Sequence, residues 1–95
     1  QMNTKEMKKI SKIFKEWSLD FKQVGIKDDY EFYYNLSSVF KCKKTSVNFC
    51  NVIEKDVQVK LINYLLTITL FPLNKEIYEE ANYIMEIIQK DIEAL

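Results

Sequence analysis

Two thiols, a scatter of serine and threonine hydroxyls and two adjacent acid pairs, Asp28 with Asp29 and Glu79 with Glu80, are the groups in this 95-residue sequence with any reach toward catalysis. A hydroxyl or thiol nucleophile needs a base within hydrogen-bond reach, ordinarily an imidazole, and the chain contains no histidine. The same absence leaves Cys42 and Cys50 two ligands short of a closed zinc site. A disulfide across their short loop is geometrically conceivable. Ordinary thiols are the expectation in a reducing cytoplasm, with Cys50 as a small core residue. Neighbouring side chains on a helix point about 100° apart, so the acid pairs read as helix-end and solvated groups rather than as carboxylates sharing one atom. One glycine rules out a P-loop and a GxGxxG turn, and the lack of arginine removes the bidentate fork for phosphate or guanine. The expectation is a non-enzymatic protein without metal or cofactor.

The elements that position these groups follow from composition. With 47% hydrophobic and 29% charged residues but one Gly and one Pro, the chain lacks the breaks of a β-sandwich and the polarity of a disordered segment. Long helices in a single soluble domain, residues 1–95, are what remains. The lysine-rich start lacks the apolar core of a signal peptide, so a cytoplasmic location is expected. The most apolar window, Leu61 to Leu73, is interrupted by Asn63, Thr67, Thr69 and Pro72 and falls short of the roughly 18 apolar residues of a membrane span.

Apolar steps of three and four run through Met7, Ile10, Phe14, Trp17, Phe21 and Val24, one stripe of a helix over about residues 4–24. Asn3 and Glu6 form a capping-box pattern at its start and Gly25 offers the left-handed residue at its end. Asp28 and Asp29 suit the N-terminus of a second helix, whose inner face is Phe32, Tyr33, Leu36, Val39 and Phe40 and which ends near residue 42. Thr45 or Ser46 is the expected next cap. A third segment starts near Val47 and reaches Phe71, with Asp56 able to cap a fresh helix and split it; a buried strand competes locally because Val57, Val59, Ile62 and Ile68 are β-branched. The steps Val57, Leu61, Tyr64, Ile68, Phe71 favour a helix. Pro72 stops it, Asn74 caps the last helix with Leu73 stapled on Tyr78, and Ile77, Ala81, Ile84, Ile88, Ile92 and Leu95 continue inward. The predicted fold is all-α, an antiparallel up-and-down four-helix bundle.

Several surfaces exceed what such a bundle uses. Residues 1–27 hold seven Lys against three acids and residues 74–95 hold two Lys against six, so a net charge of zero is the sum of +4 and −4. Lys5, Lys8, Lys9, Lys12 and Lys15 gather opposite the apolar stripe, as a solvated face complementary to the acidic last helix or as a surface for anionic lipid or an acidic partner. Nucleic acid is disfavoured by neutral charge and missing Arg. Val59, Ile62, Leu66 and Leu70 make a second stripe on the third segment, which fits either a central position or a homodimer or partner surface. Tyr30 with Tyr34, and Tyr83 with Ile87, sit off the inner faces and are expected to be partly exposed, as material for protein recognition.

The run Lys60, Leu61, Ile62, Asn63, Tyr64, Leu65, followed by a short turn and the Glu-rich amphipathic Ile77 to Ile92, resembles the last two helices of the immunity proteins that protect producers of pediocin-like bacteriocins. The resemblance covers about a third of the chain. It implies a cytoplasmic four-helix bundle that blocks a toxin-engaged sugar transporter at the inner membrane face, with specificity largely in the C-terminal half. On this chain it nominates Tyr83, Ile87 and the tail to Leu95. The uninterrupted Leu66 to Phe71 apolar run departs from the family. A toxin or its receptor is thus the expected partner, and a small homodimeric regulator or secretion partner the alternative.

Overall fold

The computed structural model describes residues 1–95 as five helices without a strand: α1 (Thr4–Gln23), α2 (Lys27–Lys41), α3 (Phe49–Val52), α4 (Lys55–Leu70) and α5 (Lys75–Glu93). The all-helical class is as the periodicity predicts. The chain divides into two compact units, one formed by Asn3–Ser46 and the other by Gln1–Met2 with Val47–Leu95.

The first unit is the helical hairpin α1–α2. The Asn3 side chain accepts from the Glu6 N–H at 2.8 Å while the Glu6 carboxylate accepts from the Asn3 N–H at 3.0 Å, the expected capping box. Gly25 takes φ +79°, which an L side chain seldom adopts, and reverses the chain into α2. Val24 is the α1 C-cap and exposed, so the apolar stripe ends at half-buried Phe21. Ile26 holds the α2 cap position without a side-chain acceptor, and Asp28 and Asp29 act from the first turn, where the helix dipole favours them. Phe14, fully buried, lies 5.7 Å from the Tyr33 ring, 6.0 Å from Phe40 and 5.9 Å from Trp17. Ser11 and Ser37 sit among these apolar residues and satisfy each other reciprocally. Each hydroxyl donates to the other's backbone carbonyl at 2.8 Å. Two small side chains with no unmet polar group let the helices close tightly.

In the second unit Met2 and Val47 exchange both backbone bonds, Met2 N–H to Val47 O at 2.8 Å and Val47 N–H to Met2 O at 3.1 Å. This extended pairing holds the backbone non-helical through Val47. The next cap is therefore Asn48, whose side chain accepts from the Cys50 N–H at 2.8 Å, rather than Thr45 or Ser46. The third predicted segment does split, at Ile53 and Glu54, two residues before Asp56. Gln58 Nε2 donates to the Ile53 carbonyl at 2.6 Å and the Cys50 carbonyl at 3.3 Å, which satisfies the acceptors left open by the break. Asp56 accepts only from Val57 N–H, in the first turn of α4.

Asn74 caps α5 as predicted, accepting from the Ile77 N–H at 2.9 Å. Leu73 is not stapled on Tyr78. The turn runs through Phe71 (φ −131°, ψ 64°) and extended Asn74, leaving Leu73 88% exposed. The inner line of α5 ends on Asp91 rather than Ile92 and Leu95, both of which are exposed. No helix is long and apolar enough to cross a membrane.

Candidate interaction surfaces

No group of three or more Cys, Asp or Glu comes together as a metal cage, and Cys42 and Cys50 are free thiols, the first exposed and the second half-buried. An open hollow of about 530 Å³ lies beside Cys50, lined also by Ile53, Glu54, Lys55 and Gln58, with no imidazole among them. Exposed apolar surfaces lie on faces of helices.

At 100° per residue α5 resolves into three arcs. Its buried arc runs through Ala81, Ile84, Ile88 and Asp91. A charged arc carries Glu79, Glu86 and Lys90. Between them lies a stripe at spacings of four and three, Tyr78, Asn82, Met85, Gln89 and Ile92, with no charge at all. α4 likewise buries Leu61 and Leu65 and turns Val59, Leu66 and Leu70 to solvent, with Ile62 half-buried. The two outer stripes belong to one face, since a groove of about 300 Å³ is lined by Ile62 from α4 and by Met85, Ile88 and Ile92 from α5. Its charged rim is Glu93, whose carboxylate accepts from Gln89 Nε2 at 3.1 Å.

At the end of this hairpin the turn is apolar and projecting. Phe71 is 77% exposed beside the still more exposed Leu73, and no charged residue occurs between Lys60 and Lys75. Exposed large apolar groups in a contiguous patch mark contact surfaces rather than ordinary monomer surface.

The residues predicted as sites fare differently. Val59, Leu66 and Leu70 are exposed and Ile62 is half-buried, so the second stripe of α4 is a surface and not a central wrapped position. Lys5, Lys8, Lys9, Lys12 and Lys15 are all exposed. Tyr34 is exposed and Tyr30 half-buried, their rings 5.9 Å apart, with Lys22 Nζ 5.4 Å from the Tyr30 ring centre. Ile87 is a correction: it is buried, because Ile84, Ile87, Ile88 and Asp91 stand at i, i+3, i+4 and i+7 and the buried arc is wide enough to include it. Tyr83 is half-buried, and the pair no longer offers one exposed patch.

Sequence reasoning missed three features. The α5 stripe is signalled by its lack of charge, and the hairpin tip by the long uncharged run around it. The third is Asp91, 1% exposed, whose Oδ2 accepts from the Phe49 N–H at 2.6 Å while Oδ1 lies 3.1 Å from the Gln1 amino nitrogen. Its signal was a carboxylate on the register of Ile84 and Ile88. Compared with known proteins, the chain matches no family model, no curated protein and no solved structure.

Proposed function

We propose that this chain is a non-enzymatic protein-binding module and, more narrowly, an immunity or inhibitor protein that protects a cell from a toxin by engaging the toxin or its receptor from the cytoplasm. The observation that carries the binding reading is the exposed apolar α4–α5 turn, where Phe71 and Leu73 stand clear of the helices with no charge nearby in sequence. Apolar and aromatic anchors of this kind contribute most of the energy of protein contacts when a partner supplies a pocket. The resemblance of Lys60 to Leu65 and Ile77 to Ile92 to immunity proteins supports the narrower reading, and the tip lies between those two segments.

Expression in a toxin-sensitive bacterium is expected to confer resistance to one cognate toxin. Phe71→Asp together with Leu73→Asp should abolish that resistance, lowering partner affinity by about 100-fold or more, with helix content by circular dichroism unchanged. Full protection from the double variant rejects the tip as the contact. Absence of protection against every toxin encoded beside the gene rejects the immunity reading.

A further inference from the structure

We propose that the uncharged flank of the α4–α5 hairpin is where two copies of this chain pair about a two-fold axis, α4 against α4 in opposite directions. This pairing is independent of what the hairpin tip binds. Three observations favour a second copy over another occupant.

The first is area. Val59 is 52% exposed, Leu66 42%, Leu70 71%, Tyr78 41% and Ile92 43%, all on the flank, with smaller contributions from Ile62 and Met85. Together they offer on the order of 700 Å² per copy, close to the roughly 800 Å² per partner of a standard specific interface.

The second is that a two-fold contact places the residues near its axis beside their own counterparts, so a charge there meets a like charge. The nine positions of the flank, four on α4 and five on α5, carry none, and the one lysine on the α4 stripe, Lys55, lies at its far end from the axis. A basic or acidic partner would find no charge at the centre of this face, whereas an identical face meets no repulsion there.

The third concerns the helix ends. α1, α2 and α5 each have a lysine in the last turn, Lys22, Lys41 and Lys90, to complement the negative end of the dipole, and α4 has none. In a register that sets Ile62 against Leu66 of the second copy and Val59 against Leu70 of the second copy, exposed Lys55, on the same stripe at the start of α4, comes beside the bare C-terminus of the opposite α4. Pairing supplies the cation each α4 lacks.

Sedimentation equilibrium on the whole chain is expected to give twice the 11.4 kDa monomer mass, with a dissociation constant on the order of 10 µM or tighter, the weak end of the range that standard-size interfaces cover. Leu66→Lys buries two like charges close to the axis, each against Ile62 of the second copy, and should weaken association by about 100-fold while leaving helix content unchanged. Should that variant fail to fold, Val59→Lys, at a more exposed position, tests the same face. With Cys42→Ser and Cys50→Ser in both chains, an Ile62→Cys chain mixed with a Leu66→Cys chain should oxidise to the mixed disulfide, which fixes the register. A wild-type chain that sediments as a monomer at about 0.3 mM, well above that dissociation constant, overturns the proposal. A dimer unaffected by both lysine substitutions overturns this face as its site. The tip variant Phe71→Asp with Leu73→Asp should keep the dimer mass, so loss of partner binding and loss of pairing read out separately.

Discussion

Phe14→Ala is expected to destabilise the α1–α2 hairpin by about 4 kcal/mol, the range for deleting a buried aromatic ring whose neighbours relax only in part. Phe14 has no exposed surface and is ringed by Trp17, Tyr33 and Phe40 at centroid distances of 5.7 to 6.0 Å. Its loss removes the apolar burial, three aromatic contacts and the packing that holds Tyr33 in place. Phe14→Leu, which retains most of the volume, should cost about 1.5 kcal/mol. Trp17 is the only tryptophan and stands edge-on to Phe14, so denaturant unfolding followed by its fluorescence reports on this hairpin directly. A midpoint in the alanine variant equal to that of the wild type would remove Phe14 from the centre of the core.

Asp91→Ala is expected to cost about 3 kcal/mol in the second unit, because it removes the buried carboxylate that accepts from the Phe49 N–H at 2.6 Å. The Phe49 N–H belongs to the first turn of α3, a helix of four residues that cannot stabilise itself by its own hydrogen bonds. Asp91→Asn keeps an oxygen acceptor in the same place and should cost about 1 kcal/mol. The bond from Asn48 Nδ2 to the Asp91 backbone carbonyl, 2.9 Å, survives both substitutions. Amide exchange therefore separates the contributions: Phe49 N–H should lose protection in the alanine variant and retain most of it in the asparagine variant. Equal protection in all three proteins would show that the carboxylate is not what holds α3 to α5.

What could be read from the sequence is whatever local chemistry decides alone. Met7, Ile10, Phe14 and Trp17 repeat at helical spacing and are buried, and Asn3, Gly25 and Asn74 cap or end helices through groups within a few residues of themselves. The misplaced cap at Thr45 or Ser46 shows the limit. Asn48 is used instead because Val47 is tied to Met2 far along the chain, and no local rule sees that bond. Ile87 departs from the expectation for a related reason: a wheel orders residues around a helix, but the width of the buried arc is set by the neighbouring helix. The second stripe of α4 was legible because its apolar content exceeds what one buried face requires. The α5 stripe was harder, since Asn82 and Gln89 alternate with Tyr78, Met85 and Ile92 and look like ordinary polar surface until the absence of charge is noticed. Asp91 was visible in the register yet invisible in role, because the group it serves is the backbone of a distant four-residue helix.

The Met2 and Val47 pair also has a topological meaning. Their two reciprocal bonds place the residues on either side of the α1–α2 hairpin about 5.5 Å apart, as directly opposed residues of an antiparallel ladder are. A two-residue reverse turn spans that gap. In modular terms the hairpin is a cassette inserted into a discontinuous parent, and its two seams are already welded. Replacing Asn3–Ser46 by a two-residue turn, or by another helical hairpin, is compatible with the same Met2–Val47 pair at the junction.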